Sequence, residues 1–243
     1  MPAEPYGMAR GRTIILVVAA AATVGAALPS ASAAAGLGDL LGILGGGSGG
    51  SGGSGSSPPQ AGPPPTRPPE SGPPQPQGEP LPARSKLLAP ESKCPGQTDS
   101  KLGPAARAQS MACMLSYARV AKGRPALRIF KPLRTSATDK ARDVRRCHKL
   151  SHEACGRDPF YWIGRVGFFK GDWIAGEILA WGPGQAGTVL ATMRAWLGSP
   201  THRAVILHPK FNLVGVGSVR GRFHGARHVT IWAAHLGYHH VAG

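Results

Sequence analysis

Carboxylates are scarce in this 243-residue chain. It holds 12 Asp and Glu against 28 Lys and Arg, which gives a formal net charge of +16. Residues 88–243 carry 23 of the basic residues, 8 of the acidic residues and all 9 histidines. Such an excess of positive charge favours binding to anionic surfaces such as phospholipid or an acidic cell-wall polymer, although it also serves solubility alone. The basic residues are scattered and form no nucleic-acid recognition motif, so we do not expect nucleic acid as a partner.

Residues 88–243 also lack two motifs that would indicate catalysis or a thiolate metal site. They contain no Gly-x-Ser-x-Gly nucleophile elbow and no candidate serine triad. The four cysteines are separated by 19, 34 and 8 positions, so no Cys-x-x-Cys pair is available for structural zinc. These absences exclude a conventional serine hydrolase and argue against a zinc-finger module.

The first 33 residues have the features of an export signal. Arg10 and Arg12 are followed by the apolar run 13–28, and Ala31-Ser32-Ala33 has the small residues of a cleavage site. A retained membrane anchor is the second interpretation, since the apolar run is shorter than the ~20 residues that a spanning helix needs. No later segment is apolar enough to cross a bilayer, so we expect a secreted protein.

The cysteines fit an oxidising compartment. Their even number predicts two disulfides in an exported chain. Four cysteines allow three pairings, and proximity along the chain favours Cys94–Cys113 and Cys147–Cys155. Each would contribute ~2–4 kcal/mol and leave no thiolate free as a nucleophile.

A low-complexity linker is predicted over residues 34–87. Residues 45–57 are only Gly and Ser, and residues 58–90 contain 13 prolines. Gly/Ser segments behave as flexible coil, and proline-rich ones extend as polyproline II at about 3.1 Å per residue. We therefore predict a disordered tether or wall-crossing stalk, followed by one domain over residues 88–243.

Helices precede strands in the predicted domain. The spacing of apolar residues and the positions of Gly and Pro predict helices over 103–122, 132–148, 159–168 and 187–197. Residues 213–219 and 227–234 are typical of strands, with a hairpin loop at 221–225. This order indicates an α+β domain with helices packed on an antiparallel sheet.

Four polar residues stand in apolar or glycine-rich surroundings. They are His152, Glu177, His202 and His228. Since the neighbours of Glu177 are Ala, Gly, Ile and Leu, we expect its carboxylate to be half buried, and histidine is a natural partner for such a group.

These residues fall in segments that resemble the CAP superfamily, which comprises cysteine-rich secretory proteins, antigen 5 and pathogenesis-related class 1 proteins and is also called the SCP domain. The resemblance covers residues 94–238 and is closest to bacterial secreted members. It is carried in order by Met114–Arg119 with Gly123 and Leu127, Leu150–His152, Arg157–Phe160, Gly176–Ala180, Trp196–Leu207 and Val214–Gly217.

The resemblance implies an α-β-α sandwich whose cleft gathers two histidines and two acidic residues. His152 and Glu177 match the first histidine and the first glutamate, while His202 matches a position where bacterial members commonly have histidine. His228 precedes the strand motif of the family. The chain departs from the family pattern at Leu150, Ile178, Leu213 and Ile231. Glu153 is only a loose candidate for the second acid.

Three imidazoles and one carboxylate would suit a tetrahedral Zn²⁺ site. The sequence therefore predicts His152, Glu177, His202 and His228 as a cleft that binds an optional metal, with zinc the first candidate. Each residue also has a structural interpretation: Glu177 as a core-bridging carboxylate, His202 as a residue that orients a helical turn, and His228 as an exposed strand residue. We expect His235, His239 and His240 to form a solvated cluster.

The sequence supports three functional hypotheses. The first is a secreted, monomeric, non-enzymatic CAP-domain protein of the cell envelope or extracellular space, whose cleft binds a divalent metal or a small apolar ligand. The alternative is a metal-assisted hydrolase of peptide or cell-wall polymer with Glu177 as general base, although a missing second acid argues against it. The third is a wall-associated spacer whose domain only adheres.

Overall fold

The computed structural model describes residues 14–15, 21–23 and 85–240, and the side chains of residues 85–239. The predicted cleavage site after Ala33 and most of the predicted linker lie outside these residues. The export signal and the tether therefore stay predictions.

The described parts of the chain contain five α-helices and six strands. The helices are α1 (Pro104–Val120), α2 (Lys131–Arg146), α3 (Tyr161–Arg165), α4 (Val189–Gly198) and α5 (Pro200–Ile206). The strands are β1 (Ile14–Ile15), β2 (Ala21–Thr23), β3 (Arg128–Ile129), β4 (Asp172–Pro183), β5 (Leu213–Phe223) and β6 (Ala226–His240).

The sheet is built around three long antiparallel strands in the order β4-β6-β5. The short strand β3 pairs in parallel with β5, and β1 and β2 pair in parallel with β4. In this register Glu177 of β4 lies opposite His235 of β6, which in turn lies opposite Gly215 of β5.

Helices cover both faces of the sheet. On one face α1, α4 and α5 pack on strand residues that include Ile178, Trp232 and Val216. On the other face α2 packs on Leu179, Ile231 and their neighbours. The domain is an α+β, α-β-α sandwich with a mixed sheet whose long strands are antiparallel, as predicted.

The predicted helices agree with α1, α2 and α4 to within about two residues, and the two predicted strands are the first parts of β5 and β6. The predicted hairpin loop over 221–225 is shorter, since β5 continues to Phe223. The segment predicted as a helix over 159–168 forms only the short α3. The strand β4 was not predicted, because its interior is buried on both faces and is apolar without alternation. The sequence predicted only a helical turn near His202, where the structure has the helix α5.

The helix α2 lies directly on the sheet because β5 has glycine beneath it. A Cβ atom at Gly215 or Gly217 would come within 3.0 Å of the backbone of α2 at Leu133 or Thr138. Only glycine permits this close approach of helix and strand backbones. As a result, side chains on the inner face of α2 reach the neighbouring strands β6 and β4.

Both predicted disulfides are present. Cys94–Cys113 joins the segment before α1 to that helix, and Cys147–Cys155 closes a loop at the end of α2. The pairing by sequence proximity is confirmed.

Among the described residues, no helix combines the length and the apolar character that a membrane-spanning segment requires.

A glycine-to-alanine pair tests the close contact of α2 with β5. We expect Gly217→Ala to lower the free energy of unfolding by about 3 kcal/mol or more, because the new methyl group meets the α2 backbone and the helix must move. Gly103→Ala is the matched control, since a Cβ there meets nothing within 4 Å. Urea denaturation of the two variants measures the difference, and similar losses would contradict this packing.

Candidate functional site

Glu177 is the centre of a buried polar network on the α2 face of the sheet. Its Oε1 atom lies 2.6 Å from His152 Nδ1, and its Oε2 atom lies 2.7 Å from His235 Nε2. Because an ionised carboxylate only accepts hydrogen bonds, both ring nitrogens donate to it. The exposed fractions are 2% for Glu177, 0% for His235 and 9% for His152.

The pairing of Glu177 with His235 follows from the sheet register. The two residues lie directly opposite each other on the antiparallel strands β4 and β6. Side chains in such a pair stand on the same face, with Cβ atoms about 5 Å apart. A carboxylate and an imidazole in these positions are therefore within hydrogen-bonding reach.

The helix α2 supplies two further members of the network. Ser136 and Lys140 are one helical turn apart and so share the face that meets the sheet. Ser136 Oγ lies 2.7 Å from His235 Nδ1 and 2.9 Å from the carbonyl oxygen of Leu133. Lys140 Nζ lies 3.5 Å from Glu177 Oε1 and donates to the carbonyl oxygen of His152.

Every polar atom of Ser136, His235 and Glu177 has a partner in either protonation state of the imidazole. A neutral His235 donates through Nε2 to Glu177 and accepts the Ser136 hydroxyl proton at Nδ1. A charged His235 donates through both nitrogens, and the hydroxyl group then donates to the carbonyl of Leu133. This order of groups resembles a Ser-His-acid triad. Ser136, however, is fully buried on the side of α2 that faces the sheet. Its hydroxyl is therefore not placed to attack a substrate.

Opposing effects act on the acidity of Glu177. Burial by itself raises the pKa of the carboxyl group. The hydrogen bonds from His152 and His235, together with the charges of His235 and Lys140, outweigh burial and lower the pKa from 4.5 to about 2. Glu177 is consequently ionised at neutral pH and is a weak proton acceptor.

A disulfide-closed loop carries His152 to the network. The Cys147–Cys155 bond joins the end of α2 to the segment that follows His152. Within this loop His148 and Cys155 have positive φ angles of 49° and 61°, a backbone region that non-glycine residues rarely occupy. The disulfide and the bonds to Lys140 and Glu177 hold the loop in this conformation.

The structure brings together two of the four residues predicted as one metal set, His152 and Glu177. His202 lies on α5, on the opposite side of the sheet: Gly176, the neighbour of Glu177, faces Val205 of that helix. His228 is exposed near the start of β6, seven residues and so about 23 Å from His235. The predicted tetrahedral set is therefore not assembled, because its members lie on different faces and at different ends of the sheet.

Within residues 85–239, no group of three or more His, Cys, Asp and Glu side chains is arranged to hold a metal ion. The side chains around Glu177 agree with this finding, since its third neighbour is the amine of Lys140 rather than another ligand.

Three members of the network were not predicted from the sequence. The prediction of a solvated cluster is wrong for His235, which is fully buried. Had the alternation of Ile231 and Ala233 been extended along β6, it would have placed His235 on the inner face. Ser136 and Lys140 are spaced i, i+4 beside the apolar residues Ala137 and Ala141, a pattern that marks the inner face of α2.

Comparison with known proteins identifies a family. The model of the Cysteine-rich secretory protein family (CAP) matches residues 114–235, half of the chain. No individually curated protein matches the chain.

Solved structures that are similar to the chain include three bacterial proteins. An extracellular protein containing an SCP domain from Bacillus anthracis has 18% identity and a TM-score of 0.46 over 55% of this chain and 40% of its own length. An outer surface protein from Borrelia burgdorferi has 18% identity and a TM-score of 0.44 over 54% of this chain and 90% of its own. A cysteine-rich secretory protein from Staphylococcus aureus has 14% identity and a TM-score of 0.42, over 56% of this chain and 39% of its own.

Replacing His235 tests whether the network supports the fold. We expect His235→Asn to lower the free energy of unfolding by about 2–4 kcal/mol, because the shorter side chain leaves a cavity and withdraws the donor nitrogen from the buried carboxylate. His228→Asn is the matched control, because His228 is exposed and has a positive φ angle that asparagine tolerates. It should change the free energy of unfolding by no more than about 0.5 kcal/mol. Equal effects in denaturant titrations would show that the buried network adds nothing to stability.

Acid titration of stability tests the ionisation of Glu177. Its pKa is lowered on folding, so its contribution is complete above about pH 4.5 and is lost as the pH falls toward 2. We expect the wild-type chain to lose on the order of 3 kcal/mol through this window. Glu177→Gln should lack this loss and be less stable at pH 7, whereas Glu153→Gln, at an exposed carboxylate, should behave as wild type. If Glu177→Gln lost as much stability between pH 4.5 and pH 2 as the wild type does, the lowered pKa of Glu177 would be contradicted.

Proposed function

This chain belongs to the cysteine-rich secretory protein (CAP) family, and we propose that it is an exported, non-catalytic binding domain that attaches to anionic surfaces of the cell envelope. The observation that carries the proposal is the uncompensated positive charge of the domain surface. Residues 88–243 hold 23 basic and 8 acidic residues. Of these, three basic residues (Arg107, Arg119 and Lys140) and two acidic ones (Asp143 and Glu177) are buried. The surface therefore carries 20 basic and 6 acidic side chains.

The attraction of this surface to anions depends on the salt concentration. Attraction between exposed charges extends over the Debye length, which is about 10 Å at 0.1 M salt and about 3 Å at 1 M. A domain with this excess is drawn to polyanions at moderate ionic strength and is released at high ionic strength.

Export is supported by the cysteine chemistry. Both disulfides join residues of the folded domain, and such bonds form and persist in oxidising compartments. The predicted signal and the predicted proline-rich tether would place the domain outside the membrane at the end of an extended spacer.

The geometry around Glu177 does not favour the hydrolase hypothesis. A general base works best with a pKa near the operating pH and must be within reach of a substrate proton. The pKa of Glu177 is lowered to about 2, and both of its oxygen atoms already accept hydrogen bonds from buried histidines. These features suit a carboxylate that joins structural elements.

A metal or a small apolar ligand held by the four predicted residues is not part of the proposal. Ligation of one zinc ion requires nitrogen and oxygen atoms about 2.0–2.2 Å from a single point. His202 and His228 do not lie near Glu177, so this set offers no such point.

Vesicle binding tests the proposal. We expect the full chain, with both disulfides formed, to co-sediment with phosphatidylglycerol vesicles at about 0.1 M salt and to be released at about 1 M, while phosphatidylcholine vesicles bind little at either concentration. Glu177→Gln should bind as the wild type does, because the buried network takes no part. Absence of binding to the anionic vesicles, or binding that salt leaves unchanged, would contradict the proposal.

A further inference from the structure

We propose that a pocket beside α2 binds a phosphate group of the anionic ligand. The inference rests on the proposed function and assigns its binding to one site. The pocket encloses about 470 Å³ and opens to solvent. It is lined by Asp139, Arg142, Asp143, Arg145, Arg146, Arg157 and Trp162.

Asp143 organises the pocket wall. This residue is 3% exposed, and both of its carboxylate oxygens are used. Its Oδ1 atom accepts a hydrogen bond from Arg146 at 2.7 Å, and its Oδ2 atom accepts from Arg157 at 2.6 Å and from Trp162 Nε1 at 2.8 Å. A buried carboxylate that holds two guanidinium groups and an indole fixes the positions of all three.

The guanidinium group of Arg157 lies over two aromatic rings. The guanidinium carbon of Arg157 lies 5.3 Å from the ring centre of Tyr161 and 5.2 Å from that of Trp162. Both distances are within the range of cation–π attraction. Arg157 is therefore positioned before any ligand arrives, which lowers the entropy cost of binding.

The pocket carries more positive than negative charge. Its four arginines outnumber its two aspartates. Asp139 pairs with Arg142 at 2.7 Å, while Asp143 is shared between two arginines. Arg145 donates instead to the carbonyl oxygen of Arg220, so its charge meets no carboxylate of the pocket. The remaining positive charge attracts an anion.

The side chains that face solvent have donors to spare. Arg142 and Arg146 are 63% and 62% exposed, and the hydrogen bonds described above use one nitrogen of each toward an aspartate. A guanidinium group carries five N–H donors in a planar fork that matches the oxygen atoms of phosphate. The volume of the pocket exceeds that of a bare ion and falls in the range of small-ligand sites. Several guanidinium forks around one polar cavity favour a phosphate-bearing group over an apolar ligand.

The pocket and the buried network lie at successive turns of α2, and only the arginines of the pocket are on its solvent side. Lys140 points to Glu177, and Asp143, three residues later, points to the pocket. The pocket can therefore be altered while the network is left in place.

Calorimetry with inorganic phosphate tests the assignment on the full chain. The pocket variant is Arg142→Gln/Arg146→Gln, which removes two largely exposed charges and leaves Arg157 to hold Asp143. The control is Arg124→Gln/Arg128→Gln, which removes two exposed charges outside the pocket. We expect the pocket variant to lose at least tenfold in phosphate affinity and the control to stay within about twofold of wild type. Thermal denaturation checks that both variants are folded.

Phosphatidylglycerol vesicles distinguish the source of the phosphate. Loss of both phosphate and vesicle binding in the pocket variant would assign the pocket to a lipid headgroup, and loss of phosphate binding alone would assign it to a soluble or polymer-borne phosphate. Equal losses in the pocket and control variants would overturn the inference while leaving the proposed function intact. So would an absence of phosphate binding by the wild type up to about 10 mM, provided that the anionic vesicles still bind.

Discussion

The carboxylate of Glu177 is the group on which the arrangement of this domain depends. Removing an ion from water is expensive unless hydrogen bonds and opposite charges compensate. Here the compensation comes from His235 on the neighbouring strand, His152 on the disulfide-closed loop and Lys140 on α2. Each partner belongs to a different element, so satisfying one carboxylate fixes a strand, a loop and a helix relative to β4. The polar network thereby specifies how the helix and the loop sit on the sheet.

Close packing makes that network possible. Because Gly215 and Gly217 allow α2 to lie directly on β5, its inner side chains reach His235 and Glu177 without a gap for water. The same helix presents Arg142, Arg145 and Arg146 to solvent, and the buried Asp143 holds Arg146 in place. One helix thus separates a saturated, buried set of polar groups from an exposed set of arginines. This division explains why we place binding at the arginines and not at the histidines and glutamate.

Much of the fold follows from the sequence, because the spacing of apolar residues together with the positions of Gly and Pro indicates α1, α2 and α4, and the cysteines pair with their nearest neighbours. The strand β4 was missed because burial on both faces removes the alternation that marks a strand. The site was predicted in part: Glu177 and His152 stand out by their surroundings. Their partner His235 could not be chosen from three nearby histidines without the register of β6, and His202 was included although the sheet separates it from Glu177. Proximity across a sheet depends on register and face, which local patterns do not specify.

Hydrogen exchange at the histidine rings tests the central role of Glu177 most directly. In ¹H–¹⁵N NMR spectra of the full chain, we expect the Nε2 proton of His235 to be shifted downfield and protected from exchange with solvent, because it is buried and bonded to Glu177 Oε2. The signal should be lost or exchange rapidly in Glu177→Gln. A His235 ring proton that exchanges as fast in the wild type as that of the exposed His228 would contradict the account, since the carboxylate would then not hold β6, α2 and the His152 loop together.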